Sequence, residues 1–333
     1  MVSLSSCGKK DAPRQVVLYT SCDDYLLRDI IPAFEKESGI KVLIVGDTEA
    51  TKTTGLVQRV IDEKDHPRAD VWWSNEPFGT ARLDGEGLLA PYTSAAEREF
   101  ASGWPTWLRA RDRTWYGFAL RSRVIAVRVS LRERPQSWWE LADPRWKKRI
   151  GMARPQFGTT RGHMGALIEA WGPEQFRTWL IALKANGVRL YDGNSGVVRG
   201  VAQGEIDVGL TDSDDVLSAK RNLWPVEPIS PPLGGGARRQ FVPAIPNTVG
   251  LVKGGPHPEY AGALADFLLS GRVEEMLNWS ESQTWPVHPA AARTAVQTYQ
   301  HQPIPGQEEA GDLESTVGRI SEALQIWDEV FGR

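Results

Sequence analysis

The sequence predicts an α/β protein with two lobes and a ligand cleft between them. Its 333 residues are enough for two moderate hydrophobic cores. Short apolar runs with strand character alternate with segments whose apolar residues recur at helical spacing, which indicates a mostly parallel sheet covered on both faces. Polar clusters follow these strands, at the place where open α/β sheets bind their ligands.

The first half of the chain predicts three strand–helix units. The first strand ends near Tyr19, and Asp23 or Asp24 is expected to cap the next helix. Gly39 is expected to end that helix, and Ser74 with Pro77 is typical of the start of a later one. The expected strands begin near residues 15, 40 and 69, and the expected second helix covers about 53–64.

The alternation resumes after residue 115. Residues 116–129 predict two extended segments, and residues 157–172 predict a strand end, a loop and a helix. Residues 188–220 predict the order strand, loop, helix, strand, loop, helix. The remaining expected elements are strands at 149–153 and 246–254, a helix at about 258–269 and an amphipathic helix at about 312–331.

Composition and charge exclude several classes of protein. A net charge of −3 without a basic stripe gives no reason to expect nucleic acid as a partner. No apolar run approaches the roughly 20 residues that a membrane-spanning helix needs. Two cysteines are too few for a disulfide framework or a thiolate metal site.

Cys7 has a context that resembles a bacterial lipobox, in which the cysteine becomes the lipidated first residue of the mature protein. Only six residues precede it, whereas a secretory signal needs an apolar stretch of roughly 7–15 residues. The lipoprotein hypothesis therefore requires a natural start further upstream. The alternative is that the match is due to chance and that the leader, residues 1–13, has no such role.

Catalytic motifs are not found in the sequence. The segment from Gly193 to Val197 misses the nucleophile elbow because its fifth residue is valine. The five histidines show no zinc-protease spacing, and neither a P-loop nor a dinucleotide-binding glycine motif follows a strand. A binding protein rather than an enzyme is expected, with a carboxylate-based hydrolase or lyase as the less favoured alternative.

Residues 209–216, GLTDSDDV, place three carboxylates within four residues at the end of an apolar strand. Asp212, Asp214 and Asp215 would repel one another unless a cation or several N–H groups lie among them. One of them could cap the following helix, but a cap does not require three acids. Further acids stand at other strand ends: Asp23, Asp24, Glu49, Glu76 and Asp192.

The acids in the expected cleft outnumber the bases, which are chiefly Arg121, Arg123 and Arg199. That balance favours a cationic ligand or a hard metal ion held by oxygen atoms. Helix N-termini favour anions instead, and a metal bound together with an anion would satisfy both sets of groups. The pair Trp72-Trp73 is assigned to the core and its rim, with a cation–π role as the alternative.

Five blocks of the sequence, spread over about residues 14–290, together resemble extracytoplasmic solute-binding proteins of ABC importers, in the branch that includes periplasmic ferric-iron-binding proteins. The blocks begin at VVLYTSCDDY, ADVWWSNEPF, WWELADPRWK, DGNSGVVRGV and IPNTVGLVKG. The resemblance implies a type II periplasmic-binding-protein-like fold whose crossing strands serve as the hinge. It also implies a permease in the inner membrane as partner, a periplasmic or extracytoplasmic location, tethering through Cys7, and a monomer.

The resemblance weakens at the ligand. Ferric-binding relatives present paired tyrosines where this chain has Asp214 and Asp215, and a histidine or tyrosine where it has Asp23 or Asp24. A further tyrosine of some relatives corresponds to Val127. Carboxylates are less selective among hard cations than phenolates.

The expected lobes are residues 14–118 with about 243–285, and about 119–242 with 286–333.

The expected cargo is therefore a metal cation, Fe(III) or divalent, with a synergistic anion as a further component of the site. The alternatives are an organic cation, such as a polyamine or a thiamine-like amine, and an aminophosphonate. The expected metal ligands are Asp23, Asp24, Asp214 and Asp215. The other residues expected to bind the ligand are Tyr19, Ser21, Asn75, Glu76, Thr159, Thr160, Asn194, Ser195, Arg199 and Asp212.

Overall fold

A computed structural model describes residues 13–47, 54–156, 158–235, 238–241, 244–295 and 313–332. Cys7 and Glu49 lie outside these residues, so the lipobox hypothesis and one of the expected acids have no structural counterpart here. Within the described residues, no helix is both long and apolar enough to cross a membrane.

Strands and helices alternate through most of the chain. The strands are β1 Gln15–Thr20, β2 Lys41–Gly46, β3 Val71–Ser74, β4 Leu89–Ala90, β5 Trp115–Arg128, β6 Ile150–Ala153, β7 Arg189–Tyr191, β8 Val208–Asp212, β9 Val226–Ile229, β10 Leu233–Gly235, β11 Arg238–Phe241 and β12 Ala244–Val252. The helices are α1 Asp24–Ser38, α2 Thr54–Asp62, α3 Pro77–Gly85, α4 Gly158–Trp171, α5 Pro173–Ala185, α6 Asn194–Gln203, α7 Ser213–Arg221, α8 Pro258–Leu268, α9 Gly271–Trp279, α10 Pro289–Thr294 and α11 Leu313–Phe331.

One sheet runs through the whole molecule. Its strands lie in the order β2-β1-β3-β12-β5-β8-β6-β7, with β4 paired to β12 and β9 paired to β5. The pairs among β1, β2 and β3, and those among β6, β7 and β8, are parallel. Strands β5 and β12 run antiparallel to their neighbours and therefore join two parallel groups.

Strand β5 is part of the connection between the two groups. Its first half pairs with β12, from Trp115 to Ser122, and its second half pairs with β8 from Arg123 onward. The sequence predicted two extended segments here, whereas the structure has one strand with an irregular point at Ala119, whose φ is 44°. Positive φ is uncommon outside glycine, and here it coincides with the shift in register between β5 and β12 near Ile245 and Asn247.

Each parallel group is covered on both faces, as the alternating pattern predicted. On β3, Trp73 packs against one cluster of buried residues and Trp72 against another. On β5, Ile125 and Val124 likewise enter two different clusters. Both tryptophans are fully buried, so the cation–π alternative for this pair is wrong.

The ends of three helices can be compared with the ends predicted from the sequence. Glu76, rather than the predicted Ser74, caps α3, because its carboxylate accepts from the N–H groups of Phe78 and Gly79. Helix α1 begins at Asp24 and ends at Gly39 in the left-handed conformation, as predicted. Helix α4 begins directly at Gly158, without the predicted loop.

The predicted boundaries of the lobes stay a prediction. Helix α11 packs against α4 and α5, which belong to the side expected for the second lobe. Helix α10 packs against α9, whose Val273 and Leu277 belong to the same buried cluster as β1.

Candidate ligand-binding cleft

A cavity of about 340 Å³ lies at the carboxyl ends of the parallel strands, between the two groups of the sheet. This volume suits a small ligand, since ligand pockets typically begin near 300 Å³. The residues that line it are Asp23, Tyr25, Asn75, Arg121, Ala153, Arg154, Gly158, Thr159, Thr160, Asp192, Gly193, Asn194, Ser195, Asp212, Asp214, Asp215 and Ser218.

Asp212, at the end of β8, is held by a network of buried groups. Arg123 Nη1 donates to Asp212 Oδ1 over 2.7 Å, and Thr159 Oγ1 donates to Asp212 Oδ2 over 2.5 Å. Asn194 Nδ2 donates to the same Oδ2 over 3.0 Å. Asp212 stands at the cap position of α7, but its side chain makes no capping hydrogen bond. Its carboxylate therefore ties together β5, α4 and α6.

Asp214 and Asp215 occupy the first turn of α7, where the helix dipole favours negative charge. One carboxylate oxygen from each of Asp212, Asp214 and Asp215 lies within 4.8 Å of the other two. Thr211 Oγ1 donates to Asp215 Oδ2 over 3.2 Å. This spacing allows one hard cation to contact more than one carboxylate at once.

Arg121, on β5, points into this group of acids. Its Nε lies 3.4 Å from Asp214 Oδ2 and 3.6 Å from Asp212 Oδ2, and 4% of its side chain is exposed. Among the described residues, that Nε has no hydrogen-bond acceptor. Burial acts against the charge, but the carboxylates of Asp214, Asp212, Asp215 and Asp23 outweigh it and raise the pKa of Arg121. The guanidinium is therefore a fixed positive charge inside the cleft.

Next to Asp212, two helix N-termini present neutral hydrogen-bonding groups to the cavity. Thr159 and Thr160 lie in the first turn of α4, and Asn194 and Ser195 open α6. Thr160 Oγ1 contacts Asn194 Oδ1 at 3.4 Å, which holds the two helix ends beside each other. Two N-termini that face one cavity favour an anion or the negative end of a ligand.

The wall on the β1 and β3 side contributes Asp23, Tyr25 and Asn75. Ser21 does not line the cavity, but its Oγ donates to Asn75 Oδ1 over 3.1 Å and so orients that amide. Burial, together with the charges of Asp214, Asp23 and Asp215, raises the pKa of Tyr25, which keeps the phenol protonated.

Several predicted site residues do not line the cavity. Tyr19 is fully buried on the other face of the sheet, where its hydroxyl donates to Glu63 over 2.8 Å. Glu76 is the cap of α3 and has its carboxylate engaged there. Asp24, on α1, and Arg199, on α6, are exposed and do not line the cavity. None of these four residues lines the cavity, and their roles as ligand residues stay predictions.

Tyr25, Arg154 and Ser218 line the cavity but were not predicted from the sequence, and Arg121 was predicted only as one of the bases of the cleft. Tyr25 directly follows two predicted acids, so its position was a usable signal. Ser218 lies one turn beyond Asp214 and Asp215 on α7, at the spacing that places residues on one helix face.

A family model described as bacterial extracellular solute-binding protein matches residues 24–278 of the chain. An uncharacterized protein of Haemophilus influenzae is 25% identical over 291 residues, which cover 84% of this chain and 80% of that protein.

Two other relatives have names that state a ligand. The Fe(3+)-binding periplasmic protein of Serratia marcescens is 30% identical over 204 residues, 60% of this chain and 57% of that protein, so the match spans less than two thirds of its length. A Salmonella paratyphi A protein, provisionally named a 2-aminoethylphosphonate-binding periplasmic protein, is 28% identical over 258 residues, 74% of this chain and 71% of its own length.

Among solved structures, iron-bound HitA from Pseudomonas aeruginosa superposes with a TM-score of 0.79. The two sequences are 23% identical, and the match covers 96% of this chain and 99% of that one. The chain therefore has the two-lobed type II fold of periplasmic binding proteins, as the sequence predicted.

Proposed function

This chain belongs to the family of bacterial extracellular solute-binding proteins, and on that premise we propose that it captures a small cationic cargo for an ABC importer. The cargo is a metal cation, Fe(III) or divalent, which binds in the cleft and passes to a permease in the inner membrane. Cys7 tethers the protein on the periplasmic side of that membrane, and the protein acts as a monomer, without catalysis and without nucleic acid.

The observation that supports a cationic cargo best is the group of three carboxylates on one wall of the cavity. Oxygen atoms of Asp212, Asp214 and Asp215 lie within 4.8 Å of one another. Asp212 is buried, whereas Asp214 and Asp215 are only partly buried. We therefore assign direct contact with the cation to Asp214 and Asp215, with Asp23 from the β1 side of the cavity. Asp212 holds the surrounding side chains in place and is not assigned direct contact with the cation.

The neutral wall supports a co-bound anion. Thr159, Thr160, Asn194 and Ser195 lie at two helix N-termini that line the cavity beside Asp212. A small oxyanion bridging from the metal to these groups would complete the coordination of a trivalent ion and use the helix dipoles.

Closure of the two lobes is part of the proposal. Strands β5 and β12 cross between the lobes, and Ala119 with its positive φ is the point about which they turn. Contacts at the rim hold the closed form: Arg221 Nη1, on α7, donates to the carbonyl groups of Trp279 and Ser280 over 3.0 and 2.6 Å. Ser218 Oγ donates to Glu281 over 3.0 Å. Closure removes water and strengthens charge contacts in the cleft.

An aminophosphonate is the second candidate cargo. Its amine would meet the carboxylates while its phosphonate met the N-termini of α4 and α6, so one molecule would contact both sets of groups. The Salmonella paratyphi A relative named for 2-aminoethylphosphonate binding supports this candidate.

A thermal-shift series with chelator-stripped protein separates these cargoes. The panel is Fe(III), Mn(II), Zn(II), Ca(II), putrescine, thiamine and 2-aminoethylphosphonate, each at several concentrations. A metal cargo raises the melting temperature progressively with ion concentration, as binding linkage requires. Stabilisation by 2-aminoethylphosphonate alone would replace the metal with the second candidate, and stabilisation by no member of the panel would contradict both.

A further inference from the structure

Arg121 occupies the position in the cleft that a cationic cargo would be expected to approach. Its side chain is 4% exposed, and its Nε lies 3.4 Å from Asp214 Oδ2 and 3.6 Å from Asp212 Oδ2. It comes from β5, which is part of the connection between the two parallel groups, and not from a mobile surface position. A cation that binds Asp214 therefore shares the oxygen atoms already facing this guanidinium.

We propose that Arg121 is a specificity-determining residue that competes with the cargo for Asp214 and selects cargo by its charge. This inference rests on the proposed function, because it concerns a cationic cargo in the same cleft. In the empty cleft the guanidinium stands in for the cargo's charge and offsets the repulsion among the acids. When a cation binds, the same guanidinium repels it.

The imperfect geometry of Arg121 supports competition rather than a permanent ion pair. Arg123 makes a 2.7 Å hydrogen bond to Asp212 through Nη1, although its Nε and Nη2 have no acceptor among the described residues. The Nε of Arg121 also has no acceptor there, and it lies 3.4 Å from Asp214 Oδ2. Arginine and carboxylate groups frequently form hydrogen bonds shorter than about 3 Å, and the contact between Arg121 Nε and Asp214 Oδ2 is longer than this. A cation that contacts Asp214 Oδ2 would therefore lie next to this guanidinium.

The repulsion between Arg121 and the cargo grows in proportion to the cargo's charge. Arg121 therefore weakens the binding of a trivalent ion more than that of a divalent ion. Arg121 therefore reduces the preference for trivalent over divalent ions that the carboxylates alone would produce. It also makes cargo release easier, because the carboxylates keep a positively charged neighbour when the cargo leaves.

The test measures binding of Mn(II) and Tb(III) to chelator-stripped wild-type protein, Arg121→Gln and Arg121→Lys. Removing the charge in Arg121→Gln tightens binding of Mn(II) roughly tenfold and of Tb(III) roughly thirtyfold, because the repulsive term scales with ion charge. Arg121→Lys keeps the charge and stays within about threefold of wild type for both ions. Isothermal titration gives the Mn(II) constants, and terbium luminescence gives those for Tb(III).

Weaker binding of both ions by Arg121→Gln would overturn the inference, since it would mean that Arg121 supports the cargo site. Equal changes for the two ions would also overturn it. If wild-type protein binds neither ion in either assay, the cationic cargo of the proposed function fails, and the inference fails with it. If the wild-type protein binds the ions and Arg121→Gln does not bind them more tightly, the inference about Arg121 is wrong but the proposed cationic cargo is not contradicted.

A second measurement avoids the risk that the neutral variant does not fold. In wild-type protein labelled with nitrogen-15, the Nε–H resonance of Arg121 is followed while diamagnetic La(III) is added. Competition predicts that this resonance shifts and that its exchange with water accelerates, while the resonance of Arg123 stays in place. An Arg121 resonance that does not respond to saturating La(III) contradicts the proposal.

Discussion

The Arg123 guanidinium donates to the carboxylate of Asp212 over 2.7 Å, and only 1% and 3% of these two side chains are exposed. Removing one partner of such a buried pair leaves an uncompensated charge. Asp212→Asn is therefore expected to lower the free energy of unfolding by about 3–5 kcal/mol, as measured by urea denaturation. The double variant Asp212→Asn with Arg123→Met should lose less than the two single variants combined. A cost below about 1 kcal/mol would show that this pair does not organise the wall.

Asp214 and Asp215 should be required for cargo binding but not for folding. Replacing both with alanine is expected to weaken binding of the stabilising metal ion at least about a hundredfold, because two charged ligands are lost. The melting temperature of the ligand-free protein should stay the same or rise, because repulsion among the acids is relieved. The matched control is Asp24→Ala, an exposed acid outside the cavity, which should bind like wild type. Retained binding in the double variant would show that the two aspartates only favour the helix dipole.

The rim contacts of Arg221 should slow cargo release. Arg221→Ala removes the hydrogen bonds to the carbonyl groups of Trp279 and Ser280. The dissociation rate of the bound ion should rise roughly threefold to tenfold in stopped-flow exchange against a chelator, with little change in the association rate. Lys220→Ala, at the neighbouring exposed position, should leave both rates unchanged. A dissociation rate equal to wild type would exclude a role for these contacts in closure.

The two tyrosines near the first helix should behave differently. Burial and the hydrogen bond to Glu63 raise the pKa of Tyr19 to about 12. Tyr19→Phe removes that bond on the far face of the sheet and should cost about 0.5–1.5 kcal/mol in stability, with no change in cargo affinity. Tyr25→Phe alters the cavity wall and should change the affinity instead. Isothermal titration and urea denaturation of both variants check this pair, and a loss of affinity in Tyr19→Phe would return Tyr19 to the site.

Glu274 should make stability depend on pH. Burial raises the pKa of Glu274 to about 7, against the lowering effect of the N–H groups of Val287, Ala119 and His288, from an ordinary value of 4.5. The folded protein therefore holds a proton that the unfolded chain releases, and this contribution to stability is present below pH 4.5 and is lost as pH rises through about 7.

Urea denaturation between pH 5 and pH 8 measures this effect, with an expected decline on the order of 1–3 kcal/mol for wild type. Glu274→Gln carries no titrating group and should show a smaller decline. Glu259→Gln, at an exposed position, should keep the wild-type profile. An identical profile for Glu274→Gln and wild type would contradict the assignment.

The alternation of apolar strand segments with helical segments was enough to predict the fold, but it did not predict which way every side chain points. Tyr19 illustrates the reason, because both faces of a covered parallel sheet are apolar and the sequence does not show which face meets the cleft. Leu18 and Tyr19 are both fully buried, yet they enter different clusters. For the same reason, the sequence did not show which face of the sheet Trp72 and Trp73 each pack on.

The polar loops were predictable because ligands gather at the carboxyl ends of strands. Asn75, Thr159, Asn194 and Asp212 all lie at such ends and line the cavity. The partners within the site were not predictable, since the contact of Arg121 with Asp214 depends on the pairing of β5 with β8. Glu76 shows the opposite case, in which a loop acid caps its own helix.

The position of β12 has a consequence for the order in which the chain folds. This strand lies between β3 and β5, yet it is made from residues 244–252 of a chain of 333. During synthesis, the group of strands β1, β2 and β3 lacks the neighbouring strand β12 until most of the polypeptide has emerged. Contacts between such distant residues form slowly, because a long loop must close first. The amino-terminal half is therefore expected to stay incompletely folded on the ribosome and to acquire its native structure only together with the rest of the chain.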